Sequence, residues 1–557
     1  MAETISAIYV GATSLLSALG DRDESLSAIR RGECGLGWSA QYAMPVGAIP
    51  AHHPMAAPIA GLTRFESLMV RQIEAVCKAA GLTLADDGVQ LILSTTKGNV
   101  ASLADHPTIP DEAFLAHTAQ RIVSYLGGGR APILISNACI SGLSAMVVAR
   151  NLLLDGQCRH VIVAGGDELS EFITSGFASF KSISEQPCRP YDAERDGLTL
   201  GEACGALLLT CDRSRAEEPV VCLAGGAVTN DANHISGPSR TGDGLYYAIR
   251  EALQEAGVTA DEVGMVNPHG TATRYNDEME SKALAWAGLS EVPTAGLKGY
   301  IGHTLGASGV VESILSVEAM RGGELFATQG FRESDTPCPL QVSGATQPIA
   351  KPCCVKTASG FGGCNAAVVL LAETMCRPKP LPTKEVQEGA TYAMAPCDAP
   401  FASYIRERFK ALGAPNMKFY KMSDLAKGLY VAMETLLVAE PALAEVEPTR
   451  RALVLANCSS SLEADWAHQK EVNRHAPEGT SPALFVYTLP NVAAGEMCIR
   501  HQIQGDNTFF IETEDTGAAE AYGRLLIRQG RAERVVCGWA EKLGEAWNYR
   551  LKLLQQA

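Results

Sequence analysis

Short, continuous apolar runs alternate along the chain with segments whose apolar residues recur every three or four positions. VQLILST, PILIS and HVIVAGG have strand length, and SGLSAMVVARNLLLDG between the last two carries the helical period. The theme returns after Gly201 with ACGALLLT, VVCLAGGAV, VGMVNPHG and AAVVLLAE. Apolar runs without polar alternation belong to strands covered on both faces. The pattern therefore predicts an α/β protein with buried, largely parallel strands. The stretch 376–390, CRPKPLPTKEVQEGA, is proline-rich and charged and reads as a linker. Residues 1–375 before it form one large unit of two α/β halves.

Residues 391–557 echo the first unit. KMSDLAKGLYVAMETLL resembles RFESLMVRQIEAVCKAAGL, and RALVLANCSSSLEAD resembles VQLILSTTKGNVASLAD. NTFFIETEDTGAAEAYGRLLIRQGRAERVVCGWAEKL parallels PILISNACISGLSAMVVARNLLLDGQCRHVIVAGGDEL. Three matches in one order predict an internal repeat. The copy carries Thr513 to Asp515 where the first has Cys139, so it is expected to be catalytically inert.

Composition narrows the class. At 557 residues, 46% apolar and 19% charged, the chain is globular and long enough for three or four units. A net charge of −16 argues against nucleic acid, whose phosphates demand basic surface. No secretory leader and no membrane span is legible, so a cytoplasmic protein with reduced thiols is expected. The seventeen cysteines form no CxxC pair, and Cys353-Cys354 has no matching His or Cys cluster, so no metal is expected.

Cys139 stands between PILIS and a helical stripe traced by Leu143, Met146, Val147 and Leu154. A strand–turn–helix of this kind presents a side chain at a helix N-terminus, where the peptide dipoles favour thiolate. Two more motifs give it company. VNPHGTATRYNDEMES brings His269 after an apolar strand, and LKGYIGHTLGASGVVES brings Lys298 and His303 ahead of an apolar helix. GFGGCN, Gly360 to Asn365, is a glycine turn carrying one bulky residue, Phe361. Its glycines let backbone N–H groups come close to a reacting oxygen.

NACISG, RPYDAERDGLTLGEACGALLL, NPHGTATRYNDEMES, KGYIGHTLGASGVVE and ASGFGGCN stand in the order found in the elongating β-ketoacyl-acyl-carrier-protein synthases, and the chain resembles that family from about Ile8 to Glu373. The resemblance implies the thiolase fold, five layers αβαβα built from two similar halves, with a partial thiolase-like α/β unit behind it. It implies that Cys139 accepts an acyl chain from a carrier-protein thioester. Its backbone N–H and that of Phe361 would form the oxyanion hole, while His269 and His303 would promote malonyl decarboxylation. Lys298 matches the family's active-site lysine and Glu312 its buried glutamate. Thr271, Thr273 and Ser236 match positions holding the phosphopantetheine arm, Asp277 and Glu280 structural positions, and Ile140 and Phe361 the pocket gate. Arg64 falls near a carrier contact. Pro268 before His269 and Cys364 after GFGG depart from the family's usual residues.

The resemblance further implies no cofactor beyond the carrier's phosphopantetheine, and a homodimer or a heterodimer with another ketosynthase-like protein. Two other chemistries fit less well. A thiolase would need a second catalytic cysteine in the C-terminal glycine motif, and an initiating synthase would pair Cys and His with asparagine. A non-catalytic partner of the chain-length-factor kind would lack the nucleophile. Residues 391–557 are expected to serve docking, dimer stability or carrier contact without catalysis, and their deletion to leave decarboxylation measurable if the first unit folds alone. Fatty-acid and specialised polyketide or polyene pathways both stay open.

Overall fold

The computed structural model describes residues 7–104, 106–377, 382–413, 416–475 and 479–557. Fourteen strands carry the architecture. In the first unit they are β1 (Tyr9–Ser17), β2 (Val89–Ser94), β3 (Ile133–Ile135), β4 (His160–Asp167), β5 (Ala203–Thr210), β6 (Val221–Asn230), β7 (Met265–Asn267), β8 (Cys353–Gly360) and β9 (Cys364–Ala372). The C-terminal unit adds β10 (Val386–Met394), β11 (Arg451–Asn457), β12 (Phe509–Ile511), β13 (Arg534–Leu543) and β14 (Ala546–Gln556). The helices that matter here are α1 (Arg64–Ala80), α2 (Ser141–Leu154), α3 (Arg274–Trp286), α4 (Ser308–Gly322), α5 (Asp424–Ala439), α6 (Pro490–His501) and α7 (Ala518–Arg528).

The sheet order is β7-β8-β9-β6-β1-β5-β4-β2-β3-β12-β11-β13-β14-β10. One theme occurs three times in it. β1-β5-β4-β2-β3 is the first copy, β6-β9-β8-β7 the second, and β10-β14-β13-β11-β12 the third. The repeat read from residues 391–557 is therefore present in the strand order, with α5 in the place of α1 and α7 in that of α2. Pairing is parallel at β2–β3, β2–β4, β7–β8, β11–β12 and β11–β13. It is antiparallel at β1–β5, β4–β5, β8–β9 and β13–β14. The sheet is thus mixed rather than largely parallel, because tight turns such as Gly360–Cys364 fold successive strands back on themselves.

Helices α2 and α4 lie between the two sheet portions of the first unit and are buried nearly throughout. α1 covers the outer face with Phe65, Leu68, Met69 and Ile73, its N-terminus fixed by the reciprocal Thr63–Glu66 capping box. Helix, sheet, helix pair, sheet and helix make the five layers of the thiolase fold. The two central helices touch backbone to backbone. A Cβ on Gly142 would lie 2.6 Å from Val310 N, and one on Gly309 within contact of Leu143 N. Only glycine allows that approach.

The third copy joins the first through β3 and β12, paired antiparallel with Phe510 opposite Ile135 and Ile511 opposite Leu134. Both large apolar cores contain residues of both units: Ile135, Val486 and Phe510 share one, Phe65, Tyr430 and Phe509 the other. This bears on two expectations. Val386–Ala390, read as linker, are strand, because they complete the β10–β14 ladder; residues 378–381 of that stretch lie outside the described residues. Cutting the chain there would also open the β3 edge and strip both shared cores. Phe510→Ala should cost about 3–5 kcal/mol, seen in denaturant as one cooperative transition moved to lower midpoint. Two separate transitions would mean that the units fold independently.

Candidate active site

The central helix pair decides what meets what. Cys139 sits in the turn Ala138–Ile140 between β3 and α2, and Ala138 there adopts φ 48°, a left-handed conformation costly for alanine. In the second half, Leu305 at φ 53° lies in the corresponding turn before α4, two residues past His303. Because α2 and α4 touch at Gly142 and Gly309, these two turns face each other. His269 arrives from the end of β7. Its ring and that of His303 lie 5.1 Å apart, edge to face.

The His269 backbone is held by charge. Its N–H donates to Glu280 Oε1 at 2.6 Å and to Thr357 Oγ1 at 3.2 Å. Lys298 Nζ donates to its carbonyl at 2.6 Å, and Lys356 Nζ to the preceding carbonyl of Pro268 at 3.2 Å. Both ammoniums also bind Glu312, at 2.6 and 2.7 Å, so one carboxylate bridges two lysines in a fully buried site. Burial opposes the charge on Glu312, yet the two ammoniums outweigh it and hold its pKa below the usual carboxylate value. Burial pulls both histidines well below their ordinary pKa, Lys298 and Lys356 adding to the effect and His303 adding at His269. The pair is neutral, and each ring keeps one N–H to donate. His303 Nδ1 faces Ser308 Oγ at 3.0 Å.

Cys139 departs from the expectation of a resting thiolate. Burial pushes its thiol up to about 12, Lys298 acting against that rise. The helix N-terminus does not outweigh desolvation of a charge in a closed cleft, so the thiol surrenders its proton only during reaction.

Cys139, His269, His303 and Phe361 line one cavity of about 260 Å³, together with Thr271, Thr273 and Ser236. Thr271 and Thr273 share a hydrogen bond of 2.9 Å. Asp277 and Glu280 lie beneath, both taking hydrogen bonds from Tyr191, at N and OH. Two residues fall elsewhere. Ile140 is buried in the core and stands outside the cavity wall. Arg64 pairs with Glu202 at 2.7 Å and with Glu168, outside the cavity wall, and stays partly exposed. Lys356 was missed in the sequence. Its only signal there is a lone charge inside the apolar run CCVKTASG.

A cysteine, two neutral histidines and a glycine turn line one cavity on the thiolase fold. Family models agree. Residues 73–214 match the β-ketoacyl synthase N-terminal domain, and residues 220–332 the C-terminal domain. The ketoacyl synthase alpha subunit of the tetracenomycin polyketide synthase of Streptomyces glaucescens is 30% identical over 49% of this chain and 69% of its own length. The 3-oxoacyl-acyl-carrier-protein synthase 2 of Rhizobium meliloti is 33% identical over 42% of this chain. The match spans 59% of that relative, about six-tenths of its length. Among solved structures, a ketosynthase (ApeO) in complex with its chain length factor (ApeC) from Xenorhabdus doucetiae is 28% identical. Its TM-score is 0.57, over 67% of this chain and 99% of that one. A PfaC ketosynthase–chain length factor structure shares the fold over 99% of this chain and 78% of its own, with TM-score 0.78 at 14% identity. The chain belongs to the β-ketoacyl synthase family. Among the described residues, no helix is long and apolar enough to cross a membrane.

Removing the Lys356 charge should release the histidines toward higher pKa. Lys356→Met is expected to move the acid limb of decarboxylation to higher pH, with a rate loss of about tenfold or more. Lys356→Arg should leave the limb in place. Coincident pH profiles for the two variants would show that the charge at 356 does not tune the pair.

Proposed function

We propose that the protein is a β-ketoacyl-acyl-carrier-protein synthase, extending an acyl chain by two carbons through decarboxylative Claisen condensation. The observation that carries this reading is one cavity holding Cys139, two neutral histidines and the Phe361 turn. In the first half-reaction, a neutral imidazole takes the Cys139 proton as sulfur attacks the acyl thioester. The oxyanion is met by the N–H groups of Cys139 and Phe361. The carbonyl re-forms, and the phosphopantetheine thiolate leaves and takes the proton. In the second, malonyl-carrier loses CO₂, and the electrons of the broken C–C bond pass to the thioester oxygen. The ring N–H groups of His269 and His303 stabilise that enolate. Its carbon attacks the acyl-cysteine, the new C–C bond forms, and Cys139 departs to recover a proton.

Lys298, Lys356 and Glu312 position the histidines and keep them neutral; they do not react. Thr271, Thr273 and Ser236 would hold the phosphopantetheine arm, so the substrates' carrier supplies the only prosthetic group. An acidic carrier needs basic surface near the mouth. Exposed Arg274, beside the lining residues Thr273 and Tyr275, suits that contact better than Arg64. Residues 391–557 carry Thr513 to Asp515 where the first unit has Cys139 and occupy the β3 edge, which supports reading them as a built-in partner rather than a second enzyme. The pathway served, fatty acid or specialised polyketide, is set by acyl preference.

Intact-protein mass after mixing with a panel of acyl-carrier thioesters tests the reading. One acyl mass on the wild type and none on Cys139→Ala is expected, and the best acyl donor names the pathway. A folded wild type that no thioester acylates would instead favour a non-catalytic partner.

A further inference from the structure

The C-terminal unit reaches further into the site than an edge partner needs to. Asn491, at the start of α6, donates from Nδ2 to the carbonyl of Phe361 at 2.8 Å. The residue is 2% exposed, and among the described residues its Oδ1 has no hydrogen-bond partner. A buried amide oxygen left unpaired is costly, which a purely structural seam would have had little reason to retain. One turn further along α6, Gly495 lies against the same turn. A Cβ there would stand 2.5 Å from Gly362 O and 2.9 Å from its Cα. Gly362 and Gly363 adopt φ 89° and 71°, so the turn is held in a conformation that glycine alone takes freely. Its next carbonyl, Gly362 O, accepts from Asn230 Nδ2 at 2.9 Å. The same unit grips the other wall of the site. Phe509 N–H donates to Asn137 Oδ1 at 2.9 Å, two residues before the nucleophile, and Asn137 Nδ2 donates to Asn507 O at 3.0 Å.

We infer that the C-terminal unit completes the catalytic centre. Asn491 is a positioning residue that fixes the Phe361–Gly362 peptide, and with it the Phe361 N–H aimed at the oxyanion and the phenyl ring at the cavity wall. The inference rests on the acyl-transfer reading above and gives the inert copy a task that does not need a nucleophile. A glycine turn has many accessible conformations. An oxyanion donor is effective only when it is already in place as charge develops, so a clamp on the adjacent carbonyl acts on rate rather than on binding.

The test is pre-steady-state acylation of Cys139 in the full chain, followed by intact mass over a range of acyl-carrier concentrations. Asn491→Asp keeps the shape but turns an N–H donor into a carboxylate oxygen facing Phe361 O. Gly495→Ala pushes on the turn from outside the first unit, in a helix that alanine suits better than glycine. Both are expected to lower the maximal acylation rate about a hundredfold while leaving half-saturation by the acyl carrier unchanged. A merely structural role would lower the melting temperature without that split. Wild-type maximal rates in both variants, or a change confined to half-saturation, would overturn the inference while the acyl-transfer reading stands. A wild type that never acylates would overturn that reading and this inference together.

Discussion

Three residues of strand from each unit, Ile133–Ile135 and Phe509–Ile511, join the two units into one sheet. A sheet edge exposes unpaired N–H and C=O groups and invites another strand. Here the chain supplies its own. The nucleophile turn follows β3 directly, so whatever pairs with β3 also decides how firmly Cys139 is seated. The pairing also merges the apolar cores of the two units. The C-terminal unit contributes a strand, a seam and a few donors, none of which needs a thiol.

Beneath the site a second constraint operates. Four charge-bearing side chains, Lys298, Lys356, Glu312 and Glu280, are buried around the His269 backbone. Buried charges are tolerated when each finds opposite charge and hydrogen bonds, and breaking one partner is far worse than lacking the set. Glu312 pairs with both lysines, while Glu280 accepts from the N–H groups of His269 and Gly270 and the hydroxyls of Thr357 and Tyr191. The two lysines leave a positive field where the histidines sit. The field and burial both disfavour protonation, so the rings keep the lone pair and N–H that a proton transfer and an enolate require. The same burial holds Cys139 as a thiol. Thiol and imidazoles thus rest together as neutral groups, as the proposed acyl transfer requires.

Much of this was legible in the chain. Cys139, His269, His303 and Phe361 lie in motifs whose local chemistry shows without coordinates, since glycine and threonine neighbours mark strand exits. The repeat in 391–557 was readable because each copy must bury the same helix against the same strands. Lys356 was not, because a lysine inside a strand looks like a sheet edge until the opposing carboxylate is known. Ile140 and Arg64 were placed by resemblance alone, and the packing around each gives it other neighbours.

The sequence by itself determined the alternating elements, the echo in 391–557 and the motifs that carry Cys139, His269, His303 and Phe361, all properties of residues near one another along the chain. Only the tertiary structure decided that Val386–Ala390 belong to a sheet and that the thiol rests protonated. It alone brought Asn491 within 2.8 Å of a turn 130 residues away. Those outcomes depend on which surfaces exclude water together and which charges share a cavity, and contacts of that range leave no periodic trace in the order of residues.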